Sequence, residues 1–353
     1  MREPPGAPID PALSPPDRGR PVLALDLGAT RLRAALVGPD GTILARGEAP
    51  SATERGPAAV LDDAEALLVS MRSGGAPGQT RAAGQPLGIG ISAIGPVDPR
   101  AGVILDPPNA HPSFRDVPIA DELERRLGLP AFLDRDTNVA LLGELSFGAA
   151  RNVADVVYLT VSTGIGGAIL AAGVPLHGPD GTAGELGHLL VELDGPPCGC
   201  GARGHLEAIA SGAGIARAAR EAIGNGASPM LAAVAERAGP DRVTAADVAA
   251  AEDAGDPEAA GIMAHARRAF AAAMVTIADV FDPTVVVVGG SIARAQGDRL
   301  LGPAREAVRE TAFRSPSRRL AIVPAALGDD VGLVGCLVLV RFRLVGGDGR
   351  VGR

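Results

Sequence analysis

The apolar pattern begins at Val22–Asp26, a hydrophobic run ending in an acid that reads as a buried strand. Arg33–Val37 and Thr42–Arg46 follow as strand candidates, and the "GPDG" between them reads as a hairpin turn. Val60, Leu61, Ala64, Leu67 and Leu68 recur at helical spacing and predict a helix over Ala58–Met71. "RSGGAPGQTRAAGQP" reads as an exposed loop, and "LGIGISAIGPVD" as a second buried strand running into a Gly-Pro turn. "IADELERRLG" predicts a short amphipathic helix stopped by glycine. "PAFLDRD" predicts a strand ending in acids, with "NVALLGELSFG" as the helix after it.

From Val156 the pattern restarts. "VVYLTVSTGIGGAILAAGVPL" reads as a strand, a glycine-rich turn and a second strand. Ala-rich helices are expected from about Glu207 to Phe281, with breaks near Gly239–Arg242 and Asp253–Pro257. "PTVVVVGGS" is a fully apolar strand ending in paired glycines, "RRLAIVPAA" a late strand and "DVGLVGCLVLVRF" a closing helix. Both halves thus open on a strand followed by a glycine-rich turn, at "DLGAT" and at "STGIGG", which suggests two related α/β domains facing a cleft. Asp136 falls near their junction.

The 353 residues suffice for two domains with separate cores. Aromatics make up only 2%, so those cores must be built from Val, Leu, Ile and Ala, which suits parallel strands covered by Ala-rich helices. A net charge of −8 argues against nonspecific nucleic-acid binding. No apolar run approaches the roughly 20 residues that span a bilayer. The first 20 residues hold six prolines and no apolar core, so they read as a disordered tail and not an export signal. Three cysteines make no disulfide framework, and a reducing cytoplasm is the expected setting.

Four stretches carry candidate chemistry. In "DLGATRLR" a strand-end Asp26 lies beside Gly28, Ala29 and Thr30. Such a turn can hold phosphate oxygens while the acid places Mg²⁺ through its waters, or it can be a plain hairpin turn. Thr163, Gly164, Gly166 and Gly167 of "STGIGGAIL" can receive phosphate in the same way; Gly289 and Gly290 would let a flat nucleoside lie against the backbone, though by themselves they read better as a tight strand-to-helix turn. Asp136 follows a strand and opens a helix, where a carboxylate stays ionised; it can cap that helix or accept the proton of an attacking hydroxyl. Finally, His188, Cys198, Cys200 and His205 are spaced by ten, two and five residues in a Gly/Pro-rich segment. Two cysteines and two histidines complete a tetrahedral zinc shell with no position left for water, so this metal would be structural.

Taken in order, "DLGATRLR", "GISAIGPVD", "DRDTNVALLGE", "TVSTGIGGAI", "AGELGH", "CGCGARGHLE" and "VVVVGGS" resemble the motifs of the ROK family (repressors, uncharacterised frames and sugar kinases) from about Pro21 to Phe342, and within it the bacterial glucokinases. The resemblance implies two actin-like, ribonuclease H-like domains flanking a cleft, expected over residues 21–137 and 138–328. A closing helix at 329–343 would pack back on the first domain, and residues 344–353 would fray. It implies transfer of a phosphoryl group from ATP, with Mg²⁺, to a hexose hydroxyl, usually O6. Asp136 resembles the general base, Glu185, His188 and Glu207 the sugar-hydroxyl partners, and Asn109 a residue of the sugar loop. The histidine of "GELGH" would both ligate zinc and contact the sugar. A cytoplasmic homo-oligomer is expected, with sugar and ATP as its ligands and neither nucleic acid nor membrane as partner.

Three positions depart from the family pattern. Arg135 stands where an asparagine amide usually binds the sugar, and a planar guanidinium cannot copy an amide's mixed donor and acceptor geometry. Ile94 replaces a usual proline, and His205 replaces the family's third zinc cysteine, for which histidine is an acceptable ligand. Arg135 opens the alternative of a changed substrate (an N-acetylhexosamine, fructose or mannose) or of sugar binding without catalysis. Repressors of the family carry an N-terminal helix-turn-helix, and only a Pro-rich stretch precedes the first strand here, so that reading is the weaker expectation.

Overall fold

The computed structural model describes residues 19–73, 84–108, 110–313 and 319–345. The loop expected over residues 72–86, most of the N-terminal tail, Asn109 and the end of the C-terminal tail lie wholly or largely outside them. The chain divides into two units. Unit 1 takes the described residues up to Ala154, Ile169–Ala183, and those from Ala326 onward; unit 2 takes Asp155–Ala168 and Gly184–Ala325.

In unit 1, β1 (Val22–Leu27), β2 (Arg31–Val37) and β3 (Ile43–Pro50) form an antiparallel meander, followed by α1 (Pro57–Arg72). Strand β4 (Ile89–Ala93), the short hairpin β5 (Val97–Asp98) and β6 (Val103–Ile104), α2 (Ile119–Leu127), β7 (Ala131–Arg135) and α3 (Asp136–Phe147) continue it. The sheet order is β3-β2-β1-β4-β7, with β4 parallel to both β1 and β7. Both β2 and β3 extend beyond their expected limits, and α2 stops at Gly128 with φ 64, a conformation that favours glycine.

The pleat sorts the sheet's residues. Leu23, Leu25 and Leu27 join Val60, Leu61, Ala64 and Leu68 of α1 in one buried cluster. Each such leucine contributes about 1.5–3 kcal/mol of transfer free energy. The other face is lined by small residues, because the closing helix, Val331–Leu344, packs there against β1, β4 and α3. A Cβ on Gly90 would lie 2.5 Å from the Cys336 carbonyl oxygen, and one on Gly335 would lie 2.0 Å from that of Val139. Gly90 and Gly335 therefore let backbone meet backbone. Cys336 is fully buried, and that burial pushes its thiol far above the ordinary range.

The strand order recurs. Strands β8 (Val156–Val161), β9 (Ile165–Ala171), β10 (Val174–Pro175), β11 (Val285–Gly289) and β12 (Ala321–Pro324) form a sheet ordered β10-β9-β8-β11-β12, with β11 parallel to β8 and β12. Unit 2 adds α4 (Leu206–Ala210), α5 (Gly212–Gly224), α6 (Pro229–Ala238), α7 (Ala245–Asp253) and the long α8 (Pro257–Phe281), with the expected breaks between α6 and α7 and between α7 and α8. Helices α9 (Ser291–Gln296) and α10 (Asp298–Thr311) were not expected from the sequence. Pro303 lies inside α10, where proline normally argues against a helix. Among the described residues, no helix is long and apolar enough to cross a membrane.

Candidate active site and metal centre

In unit 1 the strand-end acids separate by environment. Asp134 and Arg135 are buried, at 3% and 5% exposure, whereas Asp136, the first residue of α3, is only half-buried. Its Oδ1 accepts from the Thr137 N–H at 2.7 Å, so the carboxylate is held at a helix N-terminus that favours its charge. Arg135 turns inward: its Nε donates to Thr137 Oγ1 at 3.0 Å and its Nη2 to the Ala183 carbonyl at 2.8 Å. Asp134 Oδ1 accepts from the Arg135 N–H and from Asn138 Nδ2, each at 2.8 Å, while Oδ2 meets His177 Nε2 at 2.8 Å. Burial alone would push the Asp134 carboxyl up; the His177 imidazole, the Arg343 guanidinium and the Asn138 amide outweigh it and hold the group below the usual carboxylate range.

Asp26 ends β1 with 8% exposure. Arg33 donates to its Oδ2 from Nε, at 3.0 Å, and from Nη2, and Ser92 Oγ donates to its Oδ1 at 2.7 Å. Gly28 closes the turn by donating to the Arg31 carbonyl at 2.9 Å, and Ser51 fastens it by donating from Oγ to the Ala29 carbonyl at 2.8 Å. Ala29 and Thr30 remain exposed at the tip.

In unit 2 the starts of α5 and α9 converge on the turn Ser162–Gly164. The Gly212 and Ala213 N–H groups at the start of α5 donate to the Ser162 and Thr163 carbonyls at 2.8 and 3.0 Å, and Ser162 Oγ meets Ser291 Oγ, at the start of α9, at 2.9 Å. Thr163 is exposed, and Gly166 and Gly167 continue into β9. Gly290 has φ 95, and a Cβ there would lie 2.3 Å from the Val161 carbonyl oxygen. Gly290 is thus required by packing on β8 in addition to any ligand role. Ser162, Ser291 and the first turn of α5 escaped the sequence reading, since their proximity is created by the fold.

The four metal-type residues come together. Their ligand atoms all lie within 4.8 Å of one another. His188 Nδ1 and His205 Nδ1 are 3.2 Å apart, Cys200 Sγ is 3.3 Å from His205 Nδ1, and Cys198 Sγ is 3.8 Å from His188 Nδ1. Zinc with bonds of about 2.0–2.3 Å sets tetrahedral ligands about 3.3–3.8 Å apart, so the donor set fits that ion. Burial pushes the Cys198 thiol up, and the Cys200 and Glu207 charges add to that. A cation among these side chains would reverse the effect.

The cluster also fixes the acids at its edges. His188 ends a 3-10 turn whose N-cap is Glu185, and His205 is the N-cap of α4, whose first turn holds Glu207. Residues Leu190 and His205 bridge in antiparallel fashion, and the Leu206 N–H donates to the Leu189 carbonyl at 2.9 Å. Glu207 Oε2 accepts from the Ile165 N–H at 2.8 Å, and a Cβ on Gly164 would lie 2.6 Å from that oxygen. Glu207 therefore leans on the glycine turn, and a side chain at 164 would displace its carboxylate. With each Nδ1 turned into the cluster, Nε2 of His188 is left on the far side of the ring.

The family model of the ROK family matches residues 22–343. The chain is 35% identical to the glucokinase of Thermotoga maritima over 92% of its own length and 98% of that protein. It is 34% identical to an N-acetylmannosamine kinase of Escherichia fergusonii, over 90% and 98% of the two chains. Among solved structures, a ROK family glucokinase from Streptomyces griseus in complex with glucose and AMPPNP matches with a TM-score of 0.72 and 30% identity, over 91% of this chain and 99% of that one.

Proposed function

From the premise that the chain belongs to the ROK family, we propose an ATP-dependent hexose kinase that phosphorylates glucose at O6. One observation carries the assignment of its base: in the run Asp134-Arg135-Asp136, the first two side chains are buried, at 3% and 5% exposure, whereas Asp136, at the head of α3, is only half-buried. Asp136 takes the proton of the sugar hydroxyl as its oxygen attacks the γ-phosphorus; the bond to the β-phosphate bridging oxygen breaks and ADP leaves.

The motifs shared with the family support Glu185, Glu207 and His188 as the sugar's other partners. Glu185 and the remaining oxygen of Glu207 accept from hydroxyls, and His188 Nε2 meets a third, its ring fixed by the ligand role of Nδ1. Zinc, when bound, ties the 3-10 turn at Glu185 to the start of α4. The Thr163–Gly167 turn and the paired glycines 289 and 290 receive the triphosphate and nucleoside. Mg²⁺ supplies charge neutralisation on the phosphates. Both Asp26 oxygens already accept from Arg33 and Ser92, so Asp26, beside the exposed Ala29–Thr30 tip, would hold that ion only indirectly.

Likeness to the N-acetylmannosamine kinase supports a second reading, a 2-acetamido hexose as substrate. The setting is a reducing cytoplasm, consistent with three free cysteines, and the working form a homo-oligomer. A coupled ADP-release assay over glucose, mannose, fructose, N-acetylglucosamine and N-acetylmannosamine tests the proposal. Glucose is expected to give the largest kcat/KM. Preference for N-acetylmannosamine would move the assignment to the second reading, and sugar binding with no turnover on any of them would defeat the kinase.

A further inference from the structure

The Arg135 N-cap of α3 makes no side-chain cap hydrogen bond, so the usual device for fixing the start of a helix is missing where Asp136 sits. Asp134 takes over that task. Its Oδ1 binds both ends of the turn, the Arg135 N–H and the Asn138 amide, each at 2.8 Å. Orientation of this carboxylate then depends on what meets Oδ2. Arg343 Nη2, from the closing helix, stands 3.8 Å away, beyond hydrogen-bond reach, whereas His177 Nε2 is at 2.8 Å.

We propose that His177 is a positioning residue for phosphoryl transfer: its hydrogen bond to Asp134 sets the first turn of α3 and so aims the Asp136 carboxylate. The inference rests on the assignment of Asp136 as base. His177 reaches Asp134 across 43 residues of sequence, from a segment that Arg135 fastens a second time through the Ala183 carbonyl. The two contacts staple His177–Ala183 onto the turn at both ends. The histidine also lines a cavity of about 830 Å³ with Asp98, Arg100, Asp180 and Arg343. Removing the imidazole leaves a buried carboxylate oxygen without its hydrogen bond. The carboxylate then swings toward Arg343 and draws Oδ1 away from the turn it holds.

The test is steady-state kinetics on the full chain with glucose and ATP, well below the unfolding temperature and with thermal midpoints measured in parallel. His177→Ala is expected to lower kcat about tenfold, the scale of losing a group that orients another, with KM for ATP unchanged. His177→Gln, whose amide N–H can meet the same oxygen, should recover most of that loss. The double variant with Asp134→Asn should be no slower than Asp134→Asn alone, because the two act as one unit. A His177→Ala enzyme with wild-type kcat and a lowered midpoint would make the pair merely structural and overturn the proposal; so would losses in the double variant that simply add. If Asp136→Asn abolishes turnover while His177→Ala does not, the positioning role alone fails. An unaffected Asp136→Asn removes the base assignment and this inference with it.

Discussion

Replacing Asp136 by Asn probes the chemistry with little disturbance to the fold. The amide keeps an Oδ1 acceptor for the Thr137 N–H, now at 2.7 Å, so the turn should persist. The lost charge at the head of α3 costs stability of only about 0.3–1 kcal/mol. Against that small change stands the loss of a general base, worth about 10²–10⁴ in rate, or about 2.7–5.4 kcal/mol of barrier. The two effects differ enough to be separated. Glucose-dependent ADP release at saturating ATP gives kcat and the KM for glucose, and a thermal scan gives stability. We expect kcat to fall by at least about a hundredfold, KM for glucose to change little and the midpoint to move by a few degrees. A variant within about tenfold of wild type at the same KM would mean that the hydroxyl loses its proton elsewhere.

Purified protein should carry stoichiometric zinc by elemental analysis, and Cys198→Ser should release it and raise KM for glucose while unit 1 stays folded; zinc-free wild type would contradict the account of the loop. Asp134, held below the usual carboxylate range by His177, Arg343 and Asn138, should contribute stability that is complete above about pH 4 and lost as pH falls through its lowered value. Denaturant titrations from pH 7 to 3 should therefore show the gap between wild type and Asp134→Asn narrowing toward acid; a gap constant with pH would refute the linkage. Gly290→Ala, with φ 95 and the Val161 carbonyl 2.3 Å from the new methyl, should destabilise unit 2 by about 1–3 kcal/mol or more in chemical denaturation, and an unchanged midpoint would show that the turn can rearrange.

What could be read from the sequence was chiefly what is local. Buried parallel strands such as Val156–Val161 and Val285–Gly289 announce themselves as apolar runs, and α1 by its period. The metal-type cluster was legible because its four members fall within one short segment. By contrast, α10 was hidden by Pro303, which sits past the first turn, removes one intrahelical hydrogen bond and argues locally against a helix that packing of Leu300, Leu301, Ala304 and Val308 nonetheless sustains. The partition of Asp134, Arg135 and Asp136 into two anchors and one accessible acid could not be read at all. It depends on His177 and Ala183, which come close only once β7 and the segment after β10 are in place. Arg135 illustrates the same limit: the resemblance to the family makes it a departure at a sugar contact, while the fold also gives it a carbonyl to hold.

The contact of Gly90 with Cys336 has a bearing on how the chain matures. One side of the first sheet stays bare until the closing helix has been synthesised, although its strands precede all of unit 2 in the chain. Unit 2 draws all its residues from 155–325 and can condense sooner, so the domain begun first is the one completed last.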